Sequence, residues 1–181
     1  MANWPQMARR IRVPTGFAFA MVYWWLAQPD RASWLWGALV ILPGLGIRAF
    51  ASGHLEKNER LATTGPYAYT RNPLYLGSLI LAAGFTIAAR SLWIAGILLI
   101  LFLAIYLPVM REEECDLRQR FPEFLDYQRE VPRLIPLGKR YRRNSVRFSW
   151  ELYLKHREYN AAIGSLAMLA ALLAKLLWTS S

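Results

Sequence analysis

Five runs of mainly apolar residues, at 13–27, 33–50, 74–89, 91–109 and 161–178, are separated by stretches that hold nearly all of the charge. A bilayer core of about 30 Å is crossed by about 20 helical residues, so the pattern predicts five transmembrane helices and an all-α integral membrane bundle. The first run would span only about 22 Å at 1.5 Å per residue. It must be lengthened by flanking residues, meet a thinned bilayer or sit partly inside the bundle. Arg90-Ser91 is all that separates the third and fourth runs, which makes them a tight antiparallel hairpin whose far ends lie together. Pro43, Gly44 and Gly46 predict a kink or a close helix contact in the second run. Asn72-Pro73 reads as a helix start, with Asn72 as N-cap and proline at the first helical position. Leu117, Phe121, Phe124 and Leu125 carry a helical apolar period beyond the fourth run, where Pro122 kinks or ends the helix. Phe148, Leu152 and Tyr159 predict one side of an interfacial helix within a basic segment at 138–160. The divisions expected are one membrane domain, 1–181, with a core at 53–136 and a C-terminal membrane helix at 161–178.

Composition agrees: 55% of the residues are hydrophobic, and they are clustered rather than dispersed. Charge adds an orientation. With five spans, 18 of the 22 Lys and Arg fall on the face holding the N-terminus, the 52–72 loop and the 111–160 segment, which predicts that face to be cytoplasmic and the C-terminus to lie opposite. Trp24, Trp25, Trp34, Trp36, Trp93 and Trp178 gather at the other ends of their helices, as an interfacial belt would. Arg9, Arg10 and Arg12 suit a cytoplasmic anchor better than a cleaved signal, because no small-residue cleavage site follows the first run. The net charge of +10 is met by topology and anionic lipid, so nucleic acid is not an expected partner. Cys115 is the single cysteine, which excludes an intrachain disulfide and a cysteine metal cluster.

Two polar clusters flank the hairpin: Gly65-Pro66-Tyr67-Ala68-Tyr69-Thr70-Arg71-Asn72-Pro73-Leu74-Tyr75, and Arg111-Glu112-Glu113-Glu114 followed by Val131-Pro132-Arg133-Leu134-Ile135-Pro136. Hairpin geometry brings them together. A helix N-terminus at Pro73 offers free amide donors and a positive dipole end, and Arg71 adds a full charge for an anionic group such as a carboxylate. At 100° per residue Glu113 and Glu114 flank the Leu117 and Phe121 stripe and face inward, whereas Glu112 points away. Intramembrane or mouth-of-bundle charges of this kind commonly serve a polar ligand, although an Arg and Glu pair that only locks helix ends is the structural alternative. His54 and His156 stand isolated, so no metal site is expected. There is no P-loop or Rossmann glycine pattern.

In Leu61-Ala62-Thr63-Thr64-Gly65-Pro66-Tyr67, Arg71-Asn72-Pro73-Leu74-Tyr75-Leu76-Gly77 and the Glu113-Glu114 pair followed by Leu117, Phe121, Tyr127 and Val131-Pro132, the chain resembles the isoprenylcysteine carboxyl methyltransferases and their phospholipid methyltransferase relatives. The resemblance covers roughly 53–136. It implies an integral membrane enzyme that binds S-adenosylmethionine in a cytoplasmic pocket, formed by the ends of the third and fourth helices and the helix that follows, and methylates a lipophilic acceptor arriving through the bilayer. Membrane lipids are the surrounding partners. It also implies Arg71, Glu113 and Glu114 as catalytic residues, with Tyr67, Arg71, Asn72, Tyr75, Glu113 and Glu114 binding the cofactor. Asn72 and Glu59 stand where the family commonly has histidine. A carboxylate acceptor needs no base; a protonated amine would lose its proton to a glutamate or Tyr67. The alternatives are an NADPH-dependent sterol-type reductase, with Arg140, Arg142 and Arg143 at a 2′-phosphate, and a non-enzymatic membrane scaffold.

Overall fold

A computed structural model of the chain describes residues 18–57, 59–138, 141 and 146–179. Among these every regular element is helical and no strand occurs. Helix α1 occupies 18–26. It is followed by α2 (Arg31–Ser52), a 3₁₀ turn (Gly65–Ala68), α3 (Pro73–Ala89), α4 (Leu92–Leu101), a π-helical turn (Phe102–Tyr106), α5 (Leu107–Arg120), α6 (Phe124–Glu130), α7 (Trp150–Lys155) and α8 (Tyr159–Thr179). The all-α class is as the apolar runs predict. Three stretches are long and apolar enough to cross a membrane, Arg31–Ser52, Leu92–Arg120 and Tyr159–Thr179. α3 is apolar but has 17 residues, about 25 Å, and α1 is the described end of the first run. The rest of that run, with Arg9, Arg10 and Arg12, lies outside the described residues, as do Arg140, Arg142 and Arg143.

Two compact units divide the chain, one taking the residues up to Leu42, Leu81–Glu113 and Gly164 onward, the other Pro43–Ile80 and Glu114–Ile163. In the first, Tyr23, Ala27, Ala88, Ala89, Ile94 and Leu172 form the core, with Trp34, Phe85 and Met168 against it. α2 and α3 meet through glycine. A Cβ on Gly37 would stand 2.5 Å from the Ala88 Cβ and 2.6 Å from the Gly84 carbonyl, so only a bare α-carbon allows the approach. The contact expected from Pro43, Gly44 and Gly46 therefore falls partly elsewhere: Gly46 faces open space, and α2 runs through Pro43 without a break.

Trp24, Trp25, Trp36, Trp93 and Trp178 are exposed, Trp178 by 86%, which lipid tolerates and water would not. Trp34 departs from that belt. It is half-buried and donates its indole N–H to the Leu169 carbonyl at 3.0 Å, meeting the need of a buried indole for a partner. The α2 start is a reciprocal box: Ser33 N–H donates to Asp30 Oδ1 at 2.7 Å, and Asp30 N–H donates to Ser33 Oγ at 3.0 Å. Arg90, at φ 50°, makes the turn between α3 and α4 and pairs with Asp30.

In the second unit, Arg48 forks onto Glu158 at 2.9–3.1 Å and also donates to the Leu74 carbonyl at 3.3 Å and to Ser78 Oγ. Gly77 makes room for it, since a Cβ there would lie 2.5 Å from Arg48 Cγ. Of the two possibilities at Pro122 the helix ends: α5 stops at Arg120 and α6 begins at Phe124. Phe124, Tyr127 and Val131 then pack with Leu61, Leu117, Phe121 and Tyr141. The expected interfacial helix is shorter than its apolar spacing suggested. Phe148 lies before α7, stacked 5.9 Å from Phe50, and Tyr159 opens α8 after a break at Arg157.

Candidate functional site

The segment that leads into α3 is held by backbone hydrogen bonds that its own sequence cannot supply. Gly65, at φ 58°, opens the 3₁₀ turn. The buried Tyr127 hydroxyl donates to the Tyr67 carbonyl at 2.7 Å, and Tyr141 N–H donates to the Ala68 carbonyl at 2.9 Å. Burial lifts the Tyr127 phenol far above its usual range, so it stays a donor. Two residues on, Arg71 N–H donates to the Pro132 carbonyl at 3.0 Å, while the Arg133 carbonyl accepts from Thr70 Oγ1 at 3.2 Å and Asn72 Nδ2 at 3.0 Å. Residues 67–72 are thereby pinned to Tyr127, Pro132, Arg133 and Tyr141.

A charged cluster sits on this frame. Glu114, with its side chain 5% exposed, has Arg133 forked onto it, Nε at 3.0 and 3.1 Å and Nη2 at 2.7 Å. Arg71 Nη2 stands 3.5 Å from Glu114 Oε1, and Asn72 Nδ2 stands 3.4 Å from the same oxygen. Burial pulls the Arg71 guanidinium below its ordinary value against the pull of Glu114, whereas hydrogen bonds to Glu114 raise Arg133. Two guanidinium groups on one carboxylate leave an excess of one positive charge. Arg71 Nε is buried with no hydrogen-bond acceptor, an arrangement that native interiors rarely keep without a reason. The cluster is therefore suited to an anionic group.

Hairpin geometry brought Arg71 and Glu114 together, as the clusters' positions implied. Tyr67 is buried, and Tyr75 is half-buried in the first turn of α3. Glu113 is also half-buried and belongs to the first unit. Asn72 precedes α3 as expected of a cap, but its side-chain amide reaches Glu114 and the Arg133 carbonyl. Arg133 itself was not among the residues the sequence nominated. The available signal was its standing as the one cation in Val131-Pro132-Arg133-Leu134-Ile135-Pro136.

Residues 32–123, half of the chain, match the phospholipid methyltransferase family. The chain belongs to that family. The family match takes in Arg71, Asn72 and Glu114 and stops before Arg133. Among curated proteins, the chain is 30% identical over 159 residues to the cobalt-zinc-cadmium resistance protein CzcN of Cupriavidus metallidurans, covering 83% of this chain and 72% of that protein. It is 33% identical over 122 residues to the nickel-cobalt-cadmium resistance protein NccN of Alcaligenes xylosoxydans xylosoxydans, covering 63% of this chain and 57% of that protein. No solved structure matches. For a phospholipid methyltransferase family member, the Arg71–Glu114–Arg133 cluster is the place where charge, burial and an unmet donor coincide.

Proposed function

We propose that the chain is an integral membrane methyltransferase that takes the methyl group of S-adenosylmethionine and passes it to a lipophilic acceptor. The observation that carries this reading is Arg71, whose buried Nε lacks an acceptor inside a cluster with one net positive charge. The cofactor's carboxylate supplies both the missing acceptor and the missing charge. Glu114 acts through the two arginines as a positioning residue, because its oxygens are already engaged. Tyr67, Asn72 and Tyr75, in the same unit as the cluster, complete the proposed binding set.

Bound there, S-adenosylmethionine offers a methyl carbon already activated by its sulfonium. The chain's residues then need mainly to orient the reactants, and orientation is worth an effective concentration of about 10⁵ M or more. The proposed topology puts the N-terminus and this cluster on the cytoplasmic side and the C-terminus opposite, in line with the placement of Lys and Arg. Reporter fusions after residues 90, 141 and 181 would test it: a reporter active outside the cytoplasm at 141 defeats the orientation.

The deciding experiment is calorimetry on purified protein in detergent with S-adenosylmethionine, S-adenosylhomocysteine and NADPH. Saturable binding of both adenosyl compounds, lost in Arg71→Ala with the fold retained, is expected. NADPH binding alone would favour the reductase. Glu114 saturated by Arg133 favours a second reading, a helix-end lock without catalysis, for which folded protein would bind none of the three. The relatives' names concern resistance to cobalt, zinc, cadmium and nickel; on the present reading this chain would contribute to such resistance by methylating a membrane component. Growth of the host on those metals with the wild type and with Arg71→Ala measures that contribution.

A further inference from the structure

We propose that a cavity beside His54 holds the methyl acceptor and that Nε2 of His54 receives the proton which this acceptor sheds, a reading that rests on the methyltransferase function above. The cavity, in the second unit, has a volume of about 560 Å³ and is lined by Phe50, His54, Thr64, Tyr69, Arg147 and Phe148, among others. That size is ordinary for a small-molecule site.

The imidazole's state follows from its partner. His54 is 5% exposed, and its Nδ1 lies 2.8 Å from the Phe50 carbonyl. A carbonyl oxygen only accepts, so Nδ1 carries the hydrogen and the lone pair is left at Nε2. Nε2 has no hydrogen-bond partner among the described residues, and neither has the hydroxyl of Thr64, itself 8% exposed. Both side chains line one cavity, where a polar ligand can reach their open groups.

The walls are built by two glycines. A Cβ on Gly53 would stand 2.2 Å from the Phe148 ring, and one on Gly65 2.8 Å from the His54 ring. Phe50 and Phe148, stacked at 6°, give an apolar side, and Arg147 is exposed with no ion pair among the described residues. The same short segment serves both sites: Gly65, Pro66 and Tyr69 line the cavity, while Thr70, Arg71 and Asn72 adjoin the charged cluster.

The chemistry selects the acceptor class. A heteroatom bearing hydrogen, as O–H, N–H or S–H, forms the new bond to the methyl carbon; the donor's carbon–sulfur bond breaks with its electron pair going to sulfur; the hydrogen passes as a proton to Nε2. A carboxylate has no such proton and leaves His54 without a task.

Four probes separate these cases: 4-dodecylphenol, dodecylamine, dodecanethiol and dodecanoate. Wild type is expected to methylate at least one of the first three. His54→Ala should retain its affinity for S-adenosylhomocysteine, lose about 100-fold or more in rate and regain part of it with added imidazole. In protein with ¹⁵N-histidine, of which there are two, the His54 Nε2 resonance should move when the accepted probe is added, a readout independent of turnover. Full rate in His54→Ala, acceptance of dodecanoate alone, acceptance of none, or an unmoved resonance would overturn the proposal. Failure of the wild type to bind S-adenosylhomocysteine would instead overturn the methyltransferase reading beneath it.

Discussion

Arg133 grips the Glu114 carboxylate through two nitrogens, the closest contact at 2.7 Å, across 19 residues of sequence. The pair joins the middle of α5 to the strap that holds residues 70–72. Removing one partner of a fully buried pair typically costs about 3–5 kcal/mol; with the Arg133 side chain 40% exposed, Glu114→Ala, which leaves two guanidinium groups facing each other, should lose less than that by denaturant unfolding. Arg133→Lys keeps the charge but not the fork and should lose about 1.5–3 kcal/mol, the worth of a hydrogen bond to a charged group. Equal losses in the two variants would show that the forked geometry, not the charge alone, holds the strap, and an unchanged Arg133→Lys would show the reverse.

Asn72→Asp tests the same cluster from the other side. It replaces a donor 3.4 Å from Glu114 Oε1 with a second carboxylate and also removes the bond to the Arg133 carbonyl. Thermal stability in detergent should drop, and the drop should shrink below about pH 4, where a carboxylate of ordinary value takes up a proton.

Tyr127→Phe deletes the bond to the Tyr67 carbonyl and leaves a buried acceptor unmet, at a cost of about 1–3 kcal/mol. The ring remains, so the packing around Phe124 and Val131 is kept. Unchanged unfolding would mean that the carbonyl finds another donor.

Gly37→Ala probes the contact between α2 and α3. With Ala88 Cβ 2.5 Å from the added carbon, the helices must part, at a typical overpacking cost of about 1–3 kcal/mol. Gly46→Ala, facing open space, serves as the control and should unfold like the wild type.

Asp30 supplies a pH dependence. The Ser33 N–H above all, and then Arg90, hold its carboxyl below the usual carboxylate range. A depressed folded value means the stabilisation is fully present above the ordinary value of about 3.9 and is lost as pH falls through the folded value. Melting temperature should decline over that acid window, and Asp30→Asn should start lower at pH 7 and show a smaller decline.

The all-α class was legible because the apolar runs are continuous over 15 residues or more and end in turn or charged residues, and the closeness of Arg71 and Glu114 because only Arg90-Ser91 separates the two helices. Arg133 was not, since its contact depends on α5 ending before Pro122 and on the chain reversing through α6, a long-range event without local periodicity. Phe148 was misplaced for a related reason. The 148, 152 and 159 spacing mimics a helix, but the bare α-carbon of Gly53 and the ring of Phe50 draw Phe148 away from α7. Trp34 reads as a belt residue until the carbonyl of Leu169, far along the chain, claims its N–H.

The π-helical turn at Phe102–Tyr106 widens one turn of the Leu92–Arg120 helix by about one residue. Every side chain after it is set back by roughly 100° around the axis relative to an unbroken α-helix. The apolar half and the glutamate-bearing half of this helix are therefore out of phase by design of a five-residue stretch that contains no ionisable acid or base except Tyr106. Deleting a single residue there would leave the hydropathy profile almost unaltered and yet rotate Glu114 away from the direction it now takes.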